Sequence, residues 1–215
     1  MEQTFDQSKG WIYRAVTLLS INGGLVNSIT FESFFHVPVG YVTGNITFAA
    51  SYLSHFQMLN FLDVTGAIGA FLLGAILSGL LVPHNNFVRN SHYNMAFGIE
   101  ALLILLSMIG LTLKIPTSEY LLAMALGLQN GCTTHYGKSI IRTTHMTGTM
   151  TDLGIMIAHK IIRRYDIPMW RLLIRLFLIV GFFIGSVLGI ILYQLIGYYG
   201  LIFSVIACIL MISFN

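Results

Sequence analysis

The sequence predicts an all-α integral membrane protein. It reads as six transmembrane segments, or eight on a second reading, in two repeated halves with broken or short helices at Thr-Gly motifs. Three observations predict this. Of 215 residues, 56% are hydrophobic and 9% charged, and the mean hydropathy is +0.80; a soluble domain carries about a quarter charged residues. Apolar runs near membrane-crossing length recur along the chain. Two polar, threonine-rich, glycine-broken stretches interrupt them: Gly40–Thr47 (Gly-Tyr-Val-Thr-Gly-Asn-Ile-Thr) and Arg142–Gly154 (Arg-Thr-Thr-His-Met-Thr-Gly-Thr-Met-Thr-Asp-Leu-Gly). The chain, 1–215, reads as a single membrane domain with halves at about 11–115 and 116–215.

The segments follow in order. The first, residues 11–30, opens on the interfacial pair Trp11 and Tyr13, as aromatic belts do. It is expected to break at Asn22-Gly23-Gly24. A Phe-rich loop carries Glu32, His36 and Pro38, and a short segment starts at Thr43-Gly44-Asn45 and runs to about residue 56. Residues 64–82 are fully apolar, and 93–113 are apolar except for Glu100. After Lys114 and Pro116 the pattern restarts. A segment over 118–132 ends in Gly127-Leu128-Gln129-Asn130-Gly131, and a polar loop holds His135, Lys138 and Arg142. A short segment covers 147–162, a basic turn carries Arg163, Arg164, Trp170 and Arg171, and apolar stretches cover 172–195 and 200–215. The N-terminus is acidic before it is basic and shows no small-residue cleavage site, which reads as a tail and not a signal peptide.

The halves align. Gly24-Leu-Val-Asn27 matches Gly127-Leu-Gln-Asn130, Thr43-Gly-Asn-Ile-Thr47 matches Thr147-Gly-Thr-Met-Thr151, and Phe71-Leu-Leu-Gly74 matches Phe182-Phe-Ile-Gly185. The offset drifts from 103 to 104 to 111, so the alignment needs gaps. Repeats of this kind are common in transporters, where broken helices of the two halves meet at the site. Two span counts stay open. Each short segment is a thin crossing, giving eight spans and a parallel repeat, or it completes a broken span, giving six and an inverted repeat. Lys9, Arg14, Lys160, Arg163, Arg164, Arg171 and Arg175 put the N-terminus and the basic turn in the cytoplasm under both counts. Arg89 joins them only in the inverted reading, which is therefore preferred.

Backbone breaks at membrane depth must be buried in protein or line a wet cavity. Both Thr-Gly stretches look like helix starts, with a threonine capping free N–H groups and Thr149-x-x-Asp152 at capping-box spacing. Thr43, Thr47, Ser51 and Ser54 fall on one face of the first short helix, opposite a packing face of Ile46, Ala50, Leu53 and Phe56. Thr147, Thr151, Gly154 and Ala158 form a small polar face on the second. A helix start offers N–H donors and the positive dipole end, which suits an anion or a carbonyl oxygen, and Arg142 reinforces that. The competing explanation is packing: small residues let membrane helices approach, and hydroxyls bond across helices. Asp152 and Glu100 stand apart, because ionisable groups inside spans are costly. Arg142 is expected to pair with one of them. Asp152 and His159 share a helix face, with His145 just before it, a spacing for a proton relay and not for a built metal site. The sequon at Asn45 would be unreachable at membrane depth. Cys132 and Cys208 lack ligand spacing, and hydrolase, zincin and nucleotide-loop motifs are absent.

At these motifs the sequence resembles the YoaK-like family of bacterial membrane proteins, known as domain of unknown function 1275. The stretches Gly24–Phe31 and Val42–Asn45 carry the likeness, and above all Gly127–Asn130 with Arg142–Gly154. Where that family usually has Val-Asp-Ala, this chain has Val26-Asn27-Ser28. The resemblance implies a multi-pass bacterial inner-membrane protein of about six spans and implies no substrate.

The expected function is a small transporter or channel-like carrier for an unidentified polar or anionic solute, proton-coupled, with no enzymatic activity and no cofactor. Asn27, Asn45, Gln129 and Asn130 are the expected neutral contacts. Thr43, Gly44, Thr147, Gly148 and Thr149 supply helix-start donors, Arg142 attracts an anionic group, and Asp152 or Glu100 handles the proton. Its partners are the lipid bilayer and that solute, a homo-oligomer is allowed, and no nucleic acid is implied by a net charge of +3. The alternative is a non-transporting sensor or partner subunit that holds anionic lipid or a protein through its basic turn.

Overall fold

The computed structural model describes residues 9–82, 91–136, 142–162 and 167–213. These form α1 (Lys9–Phe31), α2 (Val42–Ser54), α3 (Met58–Leu81), α4 (Ser91–Thr112), α5 (Glu119–Tyr136), α6 (Met146–Ile161), α7 (Met169–Ile196) and α8 (Ile202–Ser213). Short 3-10 turns precede α5 and α8, and no strand occurs among the described residues. Among the described residues three stretches are long and apolar enough to cross a membrane: Met58–Leu81, His92–Thr112 and Met169–Ser213. The 24 residues of α3 extend roughly 36 Å against a hydrocarbon core of about 30 Å. Leu72, Leu73, Ile76 and Leu80 on α3 and Phe183, Ile184 and Leu188 on α7 are exposed, a surface suited to lipid and not to water.

Two glycine-lined seams organise the packing. Along α1 and α7, a Cβ on Gly24 would overlap the carbonyl of Phe182, and one on Gly185 would overlap that of Ile21. Along α3 and α5, a Cβ on Gly127 would overlap the carbonyl of Phe71, and one on Gly74 that of Met124. Glycine is required here because backbones touch, as in small-residue membrane interfaces. In each seam the first helix of one half of the chain meets the long helix of the other half, through matching residues.

The pairings also fix directions. Gly181, Gly185 and Gly189 meet Thr17, Ile21 and Leu25 in the same order, so α1 and α7 run parallel. Gly66 lies by Tyr120, Gly74 by Met124 and Ser78 by Gly131, so α3 and α5 run parallel. Between α1 and α5 the order reverses: Gln129 Nε2 donates to Leu19 O at 3.0 Å, while Leu126 lies by Asn27 next to Gly40. The two helices whose sequences align therefore run antiparallel.

Three expectations about the elements are corrected. α1 passes unbroken through Asn22-Gly23-Gly24, and α5 passes through Gly127–Gly131 to Tyr136, because Gly24, Gly127 and Gly131 serve the seams and not a break. The chain after α1 does not continue across as the second half of one span. It folds back, with Val39 N donating to Thr30 Oγ1 at 3.3 Å and Gly40 N to Asn27 Oδ1 at 2.7 Å. Fully buried Val37 and Val39 anchor this return. On α2 the packed face is Asn45, Ala49 and half-buried Tyr52, with Ile46 and Leu53 exposed; Ala49 joins Phe35, Val37 and Val64 in one apolar cluster.

Candidate functional site

Both short helices begin one residue before their Thr-Gly pair, at Val42 and Met146, and neither start has a side-chain cap. Tyr41 and His145 occupy the cap positions. Their carbonyls accept the first helical bonds, from Asn45 N at 2.9 Å and Thr149 N at 3.1 Å. The threonines do not cap. Thr47, Thr149 and Thr151 donate back to the carbonyls of Thr43, His145 and Thr147, and the Thr149–Asp152 box is not formed. Without a cap, the N–H groups of Val42, Thr43 and Gly44, and of Thr147 and Gly148, have no acceptor among the described residues. These are the orphan donors of a helix start.

Each start is held beside a long helix by an asparagine. Gly40 N donates to Asn27 Oδ1. In the second copy Thr144 N donates to Asn130 Oδ1 at 3.3 Å, and Asn130 Nδ2 donates to Thr144 Oγ1 at 2.6 Å. Thr143 Oγ1 adds a bond to Asn130 Oδ1 at 3.3 Å and itself accepts from Gln129 Nε2 at 2.8 Å. The second start is tied down more heavily than the first.

A cavity of about 630 Å³ lies between the two starts. Asn27, Gly40, Tyr41 and Thr43 line it from one side, and Thr144, His145 and Thr147 from the other. Phe71 and Leu72 of α3 and Phe182 and Ser186 of α7 complete its walls. Among the described residues no carboxylate faces it. The space is framed by hydroxyl, amide and ring groups, orphan N–H donors and apolar walls.

Behind the second start lies a fully buried polar network. Asn22 Nδ2 donates to Gln129 Oε1 at 2.7 Å and to Glu100 Oε1 at 3.1 Å, and Ser204 Oγ bonds Asn22 Oδ1. Cys208 lies against the same amide. Glu100 Oε2 has no hydrogen-bond partner among the described residues. The network joins α1, α4, α5 and α8, and through Gln129, Thr143, Asn130 and Thr144 it reaches the cavity wall.

Asp152 lies elsewhere. Its carboxylate is paired with Arg175 at 3.0 Å across α6 and α7, so the expected partnership with Arg142 is not formed. Glu100 likewise bonds Asn22 and not Arg142. Asp152 and His159 do share a face, and with Arg171 and Arg175 they line a second cleft of about 350 Å³. Among the described residues no cluster of His, Cys, Asp and Glu is arranged to hold a metal.

Of the residues named from sequence, Asn27, Thr43 and Thr147 line the central cavity. Asn130 sits one bond behind it and Gln129 two, while Asn45 is buried and donates to Pro38 O at 2.9 Å, holding the turn before α2. The ring of Tyr41 covers Gly44, and the space around Gly148 is open. Thr149 is buried one turn into α6. Sequence reasoning did not name Tyr41, Thr143, Thr144 or Ser186. It took Asn22 for a break and passed over Ser204, although a lone amide and a lone hydroxyl in apolar runs were the available signal.

A family model described as "Protein of unknown function (DUF1275)" matches residues 15–214. No curated protein and no solved structure is significantly similar to the chain.

Proposed function

We propose a function from the site itself, since the chain belongs to the DUF1275 family of proteins of unknown function. The protein is a small multi-pass membrane transporter or channel-like carrier for a small polar or anionic solute. The observation that carries this reading is the cavity of about 630 Å³ between two uncapped helix starts. Paired starts with orphan donors suit a carbonyl or anionic oxygen, and the apolar walls suit a compact apolar body on the same solute.

The architecture supports it. Antiparallel equivalents joined by two matching seams are the geometry of an inverted repeat, whose sites lie where broken or short helices of the halves meet. In this reading α1, α3, α4, α5, α7 and α8 cross the bilayer, and α2 and α6 are half-helices entering from opposite sides. Arg14 and the Lys160, Arg171 and Arg175 group then share the cytoplasmic end, in keeping with the distribution of positive charge. Glu100 is better placed than Asp152 to take a coupling proton. Its carboxyl is sealed in the core and linked through amides and hydroxyls to Thr144 at the cavity wall.

The test is to fill the cavity without touching the seams. Ala75 of α3 lines it, half-buried, and Ala75→Phe places a ring in the space. In proteoliposomes screened against small carboxylates, amides and inorganic anions, wild type should carry at least one class, and Ala75→Phe should lower that flux about tenfold or more at unchanged thermal stability. Undiminished flux through the filled variant would remove the cavity from the transport path.

A further inference from the structure

The cleft between α6 and α7 has no part in the transport reading and carries an inference of its own. Asp152, Met156 and His159 line it from α6; Pro168, Arg171 and Arg175 line it from the start of α7. Arg175 Nη2 is bound to Asp152 and Nη1 to Arg171 O, yet its Nε is buried with no hydrogen-bond partner among the described residues. The residue is 9% exposed, and it faces the cleft. The Arg171 guanidinium lies over the Trp170 ring at 5.2 Å. No carboxylate pairs with it among the described residues. Among the described residues, one carboxylate stands against two guanidiniums, which gives this lining a net positive charge.

Guanidinium recognises phosphate oxygens through planar, directed donors. The walls beside these donors are apolar: Ile155, Met156, Ile167 and Pro168. Ile155, Ile157 and Ile161 of α6, Ile162 just after it, and Leu173, Leu176 and Phe177 of α7 are also exposed. A charged pocket that opens onto aliphatic surface matches a phosphodiester attached to acyl chains better than a free ion.

We propose that this cleft is a binding site for the phosphodiester headgroup of an anionic phospholipid, with Arg171 and Arg175 as its donors. A phosphodiester carries one negative charge, which the net charge of the cleft balances. Asp152 competes with it for Arg175, and the site is therefore held below its full strength. The bound lipid ties α6 to α7 and so steadies the half-helix whose start faces the cavity.

The experiment measures thermal stability of the detergent-purified full chain titrated with phosphatidylglycerol, with phosphatidylcholine, or with inorganic phosphate. Phosphatidylglycerol should stabilise saturably, and the other two should not. Arg171→Gln, a change on an exposed side chain, should weaken the apparent affinity about five-fold, as loss of one basic group near an anionic headgroup does. Asp152→Asn frees Arg175 and should tighten it by a similar factor. Equal stabilisation by inorganic phosphate would make this a soluble-anion site and overturn the lipid assignment. No response to phosphatidylglycerol, or an unchanged response in both variants, would overturn the site.

Discussion

Asn130→Leu tests the structural core of the transport reading. The substitution keeps the side chain's size and removes three bonds to the returning segment: Nδ2 to Thr144 Oγ1 at 2.6 Å, and Oδ1 from Thr143 Oγ1 and from Thr144 N, each at 3.3 Å. Interhelical hydrogen bonds in membranes contribute about 0.6 kcal/mol each, so the three sum to about 2 kcal/mol. Leaving the Thr144 N–H unpaired adds about 1 kcal/mol. Asn27→Leu, at the corresponding place, removes the bond from Gly40 N and strands one N–H, for about 1.5 kcal/mol on the same reckoning. For a chain of this size that is a fall in Tm of about 9 °C against about 5 °C. Cys132 and Cys208 are free and buried, so a thiol-reactive fluorogenic dye reports unfolding directly. Thr144→Val combined with Asn130→Leu should cost less than the sum of the two, by about 1 kcal/mol. Equal losses in the two asparagine variants, or strict additivity in the pair, would refute the idea that the second start is the more firmly clasped.

Two further outcomes follow from the same geometry. Gly74→Ala and Gly185→Ala each push a Cβ into a backbone carbonyl, so both should lose about 1–3 kcal/mol in the same unfolding assay. Gly69→Ala and Gly79→Ala, on α3 with nothing nearby, should be neutral or gain up to about 1 kcal/mol from better helix propensity; similar losses at all four would discount the seams. Glu100→Gln keeps the bond to Asn22 and removes the ionisable proton, so flux should lose its pH dependence while Tm holds. A wild-type pH profile from that variant would exclude Glu100 as the coupling group.

Hydropathy located each helix within six residues at either end, the largest miss being the start at Met58 against an expected 64, because apolar runs and their polar interruptions mark where backbone must enter and leave an apolar phase. It misjudged the glycines. Gly24, like Gly127, looks like a break in a single sequence, since the carbonyl each one faces lies on a helix more than 50 residues away. A residue that weakens its own helix can be indispensable to the pair, and one-dimensional reading sees only the first effect. The return of the chain after α1 was hidden for a related reason. The signal for it is the bond from Gly40 to Asn27, which no periodicity encodes. Thr43 and Thr147 were found at the cavity because polar sequence in an oily chain is conspicuous; Tyr41 and Ser186 were not, because neither is unusual where it stands.

The asymmetry between the halves also changes meaning. From sequence, the second Thr-Gly stretch differs from the first by its charges, Arg142 and Asp152. In three dimensions Asp152 is committed to Arg175 on the far side of α6, and what distinguishes the second start is its connection to buried Glu100. The first start has one backbone bond to one asparagine. The second has a chain of amides and hydroxyls that ends on an ionisable group. Side-chain amides do not relay protons readily, but their orientation answers to whether the carboxyl they bond is charged. A proton taken up at Glu100 would then be read by Asn22, passed to Gln129 as a change of hydrogen-bond partner, and felt at Thr143 and Thr144 as a loosened or tightened clasp. On the proposed transport reading, α6 would then be the element a proton moves, and α2, whose start is bonded to α1 through Asn27 and Thr30, the one that yields to the solute.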